Sequence, residues 1–162
     1  MNLLLDDRTN PEALLALEDG TVFEGRSCGA RGEAFGTISF DADIFGYQRA
    51  LGALGNDGSI VAFTYPQVGN FGINADAPKH ATAAGVVVHD MIFTPSSWQC
   101  VKSLPDYLAE QGVVGIEDVD VRALVAHLRE HPGLRAAIST ETSDPAALLA
   151  RLQAGKGGEA DA

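Results

Sequence analysis

Positive charge is scarce in this chain. Its 162 residues hold 11 lysines and arginines against 22 aspartates and glutamates, for a formal net charge of −11 and a pI near 4.6. The lysines are only Lys79, Lys102 and Lys156, and the arginines are scattered, so no basic stripe exists. That argues against nucleic acid as a partner and disfavours docking on an anionic membrane surface. Cysteine is scarce too. Cys28 and Cys100 stand far apart without a Cys-x-x-Cys spacing, which supplies neither a disulfide framework nor a thiolate metal site and fits a reducing compartment. No apolar run approaches the length that a bilayer crossing needs. The first residues, MNLLLDDRTNPE, lack the basic start and small-residue cleavage site of a signal peptide, so a cytoplasmic protein is expected.

What is present is apolar and heavily punctuated. With 46% hydrophobic residues the chain can build a sizeable core in one domain, while 18 glycines and 7 prolines demand many tight connections rather than long helices. Residues 1–12 read as a loose leader, 13–142 as the domain, and 143–162 as a short helix with a disordered tail. In ALLALEDGTVFEG two apolar runs flank Asp19-Gly20, a hairpin signal, because both central turn residues must tolerate positive φ. GARGEAFG leads into a strand at TISF. SIVAFT and GVVVHD are short, β-branched and continuous, as in strands covered on both faces. Helices follow. Ser103 caps one, with Pro105 in its first turn and Gly112 as its stop, and VVGI reads as a strand. Asp120 caps a second helix, whose Val121, Leu124, Val125 and Leu128 share one face, and Pro132-Gly133 end it. LRAAIST reads as a last strand, and Asp144-Pro145 open a final helix carrying Leu148, Leu149 and Leu152. This order predicts an α/β or α+β layered domain.

No complete catalytic constellation is visible. A nucleophilic cysteine on a strand-to-helix elbow wants glycine two residues to either side; Cys28 has Arg26 and Ala30 there, and Cys100 has Trp98 and Lys102. Both read as small core hydrophobes. His127 and His131 share a helix face, but Leu128 stands where a metalloprotease helix places glutamate and no third ligand is near, so no metal site is expected. Gly52, Gly55 and Gly58 resemble a phosphate loop only loosely, since a strand follows rather than a helix. The carboxylates Asp41 with Asp43, and Asp118 with Asp120 beside Glu117, are most economically read as caps or solvated surface.

The stretch TYPQVGNFGIN, Thr64–Asn74, is the most elaborate in the chain. Tyr65 offers the broad amphipathic ring enriched at interfaces, and Pro66 ends the preceding strand. Gly69 and Gly72 permit positive φ, and Asn70 and Asn74 can bond their own backbone. A rigid surface loop shaped for a partner and a plain connection share this composition, and both readings stand at this point.

The segments LALEDGTVFEG, GARGEAFG, GYQ, TYPQVGNFGIN, GVVVHD, PSSW and SLPDYLAEQGVVGIEDVDVRAL, taken in order, resemble the N-terminal domain of the small chain of glutamine-hydrolysing carbamoyl phosphate synthetase. The resemblance runs from about Ala13 to Thr140. It implies a layered β/β/α domain that packs against the large synthetase chain. In that family a class I amidotransferase domain with a Cys-His-Glu site follows and releases ammonia for carbamoyl phosphate, which feeds pyrimidine and arginine synthesis. Those catalytic residues are absent from these 162 residues, so the resemblance implies a non-catalytic docking unit, with no cofactor, whose partners are an amidotransferase domain or chain and the large chain. A free-standing interaction or regulatory module on the same scaffold is the alternative.

By the resemblance, departures from the family pattern concentrate where glutamine and the sister domain would sit. Where the family reads Asn-Thr-x-Met-Thr-Gly-Tyr-Gln-Glu, only Gly46, Tyr47 and Gln48 persist. The serine that lies near glutamine in the family is replaced by Gly55, so no substrate-binding residue is expected. His89 stands for a common arginine and Val121 for a threonine. The interface candidates are therefore Tyr47, Gln48, Tyr65, Pro66, Gly69, Asn70, Gly72 and Asn74.

Overall fold

The structure, a computed structural model, describes residues 11–41, 50–52, 58–69, 72–75, 80–96 and 100–155. Strand β1 (Glu12–Leu17) turns back on β2 (Val22–Ser27) in an antiparallel hairpin, with Leu15 opposite Phe23 and Ala16 opposite Val22. The turn is one residue longer than a two-residue connection. Leu17 accepts from the Gly20 N–H (2.9 Å), only Gly20 is left-handed (φ 98°), and Leu17 N–H then pairs with Thr21 O (2.8 Å). Asp19 therefore needs no positive φ, contrary to the sequence expectation; one αL residue after a type I turn reverses the chain. β1 also begins at Glu12, so the last residue of the expected leader belongs to the sheet.

β3 (Glu33–Asp41) extends through the glycine-spaced stretch that was expected only to lead into a strand. Gly36 makes this possible, because a Cβ there would overlap the Gly58 carbonyl oxygen. β4 (Ile60–Phe63), β6 (Gly85–Val87), β8 (Val114–Glu117) and β9 (Arg135–Ser139) complete a closed barrel in the order β1-β2-β8-β6-β4-β3-β9. The β3-β4-β6-β8 run is parallel, and the remaining pairs are antiparallel. A two-stranded ribbon, β5 (Gln67–Val68) with β7 (Asp90–Met91), lies apart from it.

Alternation along the strands builds three apolar clusters. Leu15, Leu17, Ile38, Ile60, Ala62, Val87 and Ile138 form the first. Helix α2 (Val121–Glu130) adds Val121, Leu124, Val125 and Leu128 to it, the stripe that the sequence spacing predicts. Val61, Phe63, Val86 and Val88 point the other way and are covered by Leu104, Tyr107 and Leu108 of helix α1 (Leu104–Gln111). Leu14, Ala16 and Ala137 are covered by Leu148 and Leu152 of helix α3 (Pro145–Gln153). β4 and β6 are thus buried throughout, as their unbroken apolar runs require. The expected class, α/β in layers, is observed, with the sheet closed on itself.

The helix starts are fixed by side chains that accept from otherwise unpaired N–H groups. Ser103 Oγ accepts from Asp106 N (3.2 Å), Asp120 Oδ1 from Ala123 N (3.1 Å) and Asp144 Oδ1 from Ala146 N (3.0 Å). Gly112 closes α1 in the left-handed region (φ 72°). Glu33 anchors α3 to β3, accepting from Arg151 through both carboxylate oxygens and from Ser139 Oγ at 2.7 Å.

Candidate functional site

The Thr64–Asn74 loop leaves β4, and its described residues are sewn to residues 90–92 and 101–102. Gln67 and Val68 pair with Asp90 and Met91, and Ile92 N–H donates to Val68 O (2.9 Å). Farther on, Ile73 N–H donates to Lys102 O (2.8 Å) and Val101 N–H to Ile73 O (2.7 Å). Gly72 N–H closes a turn onto Gly69 O (2.9 Å). Both glycines are left-handed, at φ 101° and 61°, and both are buried. An added Cβ at Gly72 would overlap Cys100 Sγ and stand 2.9 Å from Lys102 O; one at Gly69 would stand 3.3 Å from Ile92 O.

These glycines therefore face the underlying segment. What the loop presents outward is Pro66 and Gln67, exposed, with half-buried Thr64 and Asn74 beside them; Tyr65, expected to offer its ring to a partner, packs inward on the core with its hydroxyl buried. Val101, stitched to Ile73, is 61% exposed. Tyr47, Gln48, Gly55 and Asn70 lie outside the described residues.

Neither cysteine is built as a nucleophile. Cys28 is wholly buried; burial, and secondarily the charge of Glu117, pushes its thiol well up, so the reactive thiolate is suppressed at neutral pH. Cys100 is half-buried, and its thiol donates to Lys102 O (2.9 Å). The carboxylates that are neighbours in sequence are separated in role. Glu117 is buried and accepts from Met91 N–H (3.2 Å), Asp118 adopts a left-handed backbone (φ 67°), and Asp120 caps α2. Asp118 instead joins an open polar cleft of about 450 Å³ with Glu12, Glu24, Arg26 and Glu141.

A second cluster was not foreseen as a unit. The two histidines of α2 and its cap meet the hairpin tip: Asp19 Oδ2 lies 2.6 Å from His127 Nε2, and His127 stacks on His131 at 4.5 Å between ring centres. The third polar group missing from the local sequence is thus 108 positions away from His127. No signal short of the hairpin's docking on α2 could have placed it there. Desolvation raises the Asp19 carboxyl, but hydrogen bonds from Thr21 and His127 outweigh it and hold the group below its ordinary value.

Residues 15–138 match the family described as "Carbamoyl-phosphate synthase small chain, CPSase domain". Among curated relatives, the carbamoyl phosphate synthase small chain of Solidesulfovibrio magneticus is 44% identical over 136 residues, covering 83% of this chain and 36% of that protein. The small chain of Thermotoga maritima is 42% identical over 144 residues (88% and 37%), and that of Aquifex aeolicus 43% over 143 residues (87% and 38%). The chain thus spans between 36% and 38% of the length of these relatives. The aminopeptidase from Aneurinibacillus sp. strain AM-1 overlays with a TM-score of 0.46 at 17% identity, covering 81% of this chain and 31% of that one, too slight a likeness to bear on function.

Proposed function

The chain belongs to the carbamoyl-phosphate synthase small-chain family, and from that premise we propose that it is a partner-docking unit rather than a catalytic one. It supports delivery of ammonia from an amidotransferase domain or chain to the large synthase chain. The observation that carries this reading is the locked loop. A loop fixed by two left-handed glycines and by hydrogen bonds from Ile73, Val101 and Ile92 pays little ordering entropy when a partner covers it. Its outward face carries Pro66 and Gln67 above Tyr65, which packs inward on the core, and an exposed valine, Val101, lies alongside Ile73. Rigid apolar groups such as Pro66 and Val101 suit the core of an interface.

The chemistry supports the same reading from the other side. Of the two thiols within the 162 residues, one is sealed in the core and the other is committed to a backbone carbonyl. The test is reconstitution. The chain mixed with the large synthase chain of the same organism should co-elute as one complex on size exclusion, and the chain alone should release no ammonia from glutamine. Separate elution at micromolar concentration, or glutaminase activity from the chain alone, overturns the proposal.

A further inference from the structure

We propose that Asp19, His127 and His131 form a binding site for a divalent transition-metal ion of the zinc class, joining the β1–β2 turn to the C-terminal end of α2. One potential ligand atom from each residue lies within 4.8 Å of the other two. Two imidazoles and a carboxylate are the donors that zinc and its first-row neighbours prefer, whereas magnesium and calcium favour oxygen alone. Tetrahedral zinc holds its ligand atoms roughly 3.3 Å apart at bond lengths of about 2.0–2.1 Å. The Asp19–His127 contact of 2.6 Å needs to open slightly and the third ligand to close in, movements within reach of half-buried and exposed side chains.

The supporting groups are already in place. Asp19 Oδ1 accepts from Thr21 N–H (3.0 Å), which leaves Oδ2 facing His127. His131 Nδ1 lies 3.1 Å from the His127 carbonyl. A carbonyl only accepts, so Nδ1 carries the hydrogen and Nε2 of the neutral ring carries the lone pair. A backbone carbonyl on the far nitrogen is the usual orienting partner of a metal-binding histidine. The last turn of α2 presents its carbonyl ends to the same place and favours positive charge. Three protein ligands leave a fourth position for water. On binding, the hydrogen that His127 Nε2 shares with Asp19 is displaced, to Nδ1 or to solvent, so a proton competes with the metal.

A simple ion pair between Asp19 and His127 needs no third group, which makes His131 the discriminating residue. The experiment uses the tag-free, chelator-treated full chain, titrated with zinc chloride by calorimetry and followed by thermal unfolding. One zinc ion per chain is expected. At a free zinc concentration about 100 times the dissociation constant, the folded-to-unfolded ratio should rise about 100-fold. His131→Gln keeps the Asp19–His127 pair and should still lower zinc affinity about tenfold or more, as should Asp19→Asn, while magnesium should leave the unfolding midpoint unmoved. No zinc uptake at high micromolar concentration, undiminished affinity in His131→Gln, or an equal response to magnesium overturns the assignment.

Discussion

Replacing Gly72 by alanine isolates the element on which the docking proposal leans. The residue sits at φ 61°, where an L side chain costs roughly 1–2 kcal/mol. The new Cβ would also overlap Cys100 Sγ, lie 2.9 Å from the Lys102 carbonyl and 3.1 Å from Pro95 Cβ. Overpacking of that order costs typically about 1–3 kcal/mol. The two contributions sum to about 3 kcal/mol, or roughly 6–12 °C in unfolding midpoint for a domain of this size. The second arm removes the obstruction. In a Cys100→Ala background the sulfur is gone, so the same substitution should cost about 1 kcal/mol less, a coupling that a double-mutant cycle resolves. Urea unfolding of the four proteins measures it. A Gly72→Ala cost below about 0.5 kcal/mol, or an equal cost in both backgrounds, would refute the claim that the loop is fixed by its fit against Pro95, Cys100 and Lys102.

Three other outcomes follow from the same structure. Asp19 has a folded-state pKa below its unfolded value, so the stability it contributes is present above the unfolded value of about 3.9 and is lost as pH falls through the folded one; in metal-free buffer, the stability gap between wild type and Asp19→Asn should close as pH falls through the acid range, measured by urea unfolding at stepped pH. Native chain should present at most one thiol to a disulfide reagent, Cys100, with Cys28 appearing only in denaturant; rapid labelling of both would contradict the sealed position of Cys28. Ser103→Ala and Asp120→Ala should each cost about 1 kcal/mol in chemical denaturation, because each leaves a helix N–H without its acceptor.

Local signals were legible in the sequence where the physics is local. Caps at Ser103, Asp120 and Asp144 are set within three residues of the groups they satisfy, and the α2 stripe and the buried runs of β4 and β6 follow directly from side-chain spacing. Closure of the barrel was not legible, because it depends on β9 returning to pair with both β1 and β3. The reach of β3 was hidden for a related reason. The glycine-spaced stretch GARGEAFG reads only as a lead-in, whereas Gly36 lies within the strand and lets the Gly58 backbone approach. In the Thr64–Asn74 loop the punctuating residues were recognised but not their direction. Gly69 and Gly72 face inward against Leu104 and Cys100, which only the docking of those distant residues decides. The Asp19–His127–His131 cluster shows the same limit, since two of its residues lie at the end of a helix and the third on a hairpin.

The docking claim meets its most direct test in competition. A holoenzyme of full-length small chain and large synthase chain is titrated with an excess of this chain, and carbamoyl phosphate formation is followed once with glutamine and once with free ammonia as nitrogen source. A docking unit without its own glutaminase should displace the small chain, lowering the glutamine-dependent rate in proportion to its concentration and leaving the ammonia-dependent rate unchanged. A glutamine-dependent rate that is indifferent to saturating amounts of the chain would contradict the account.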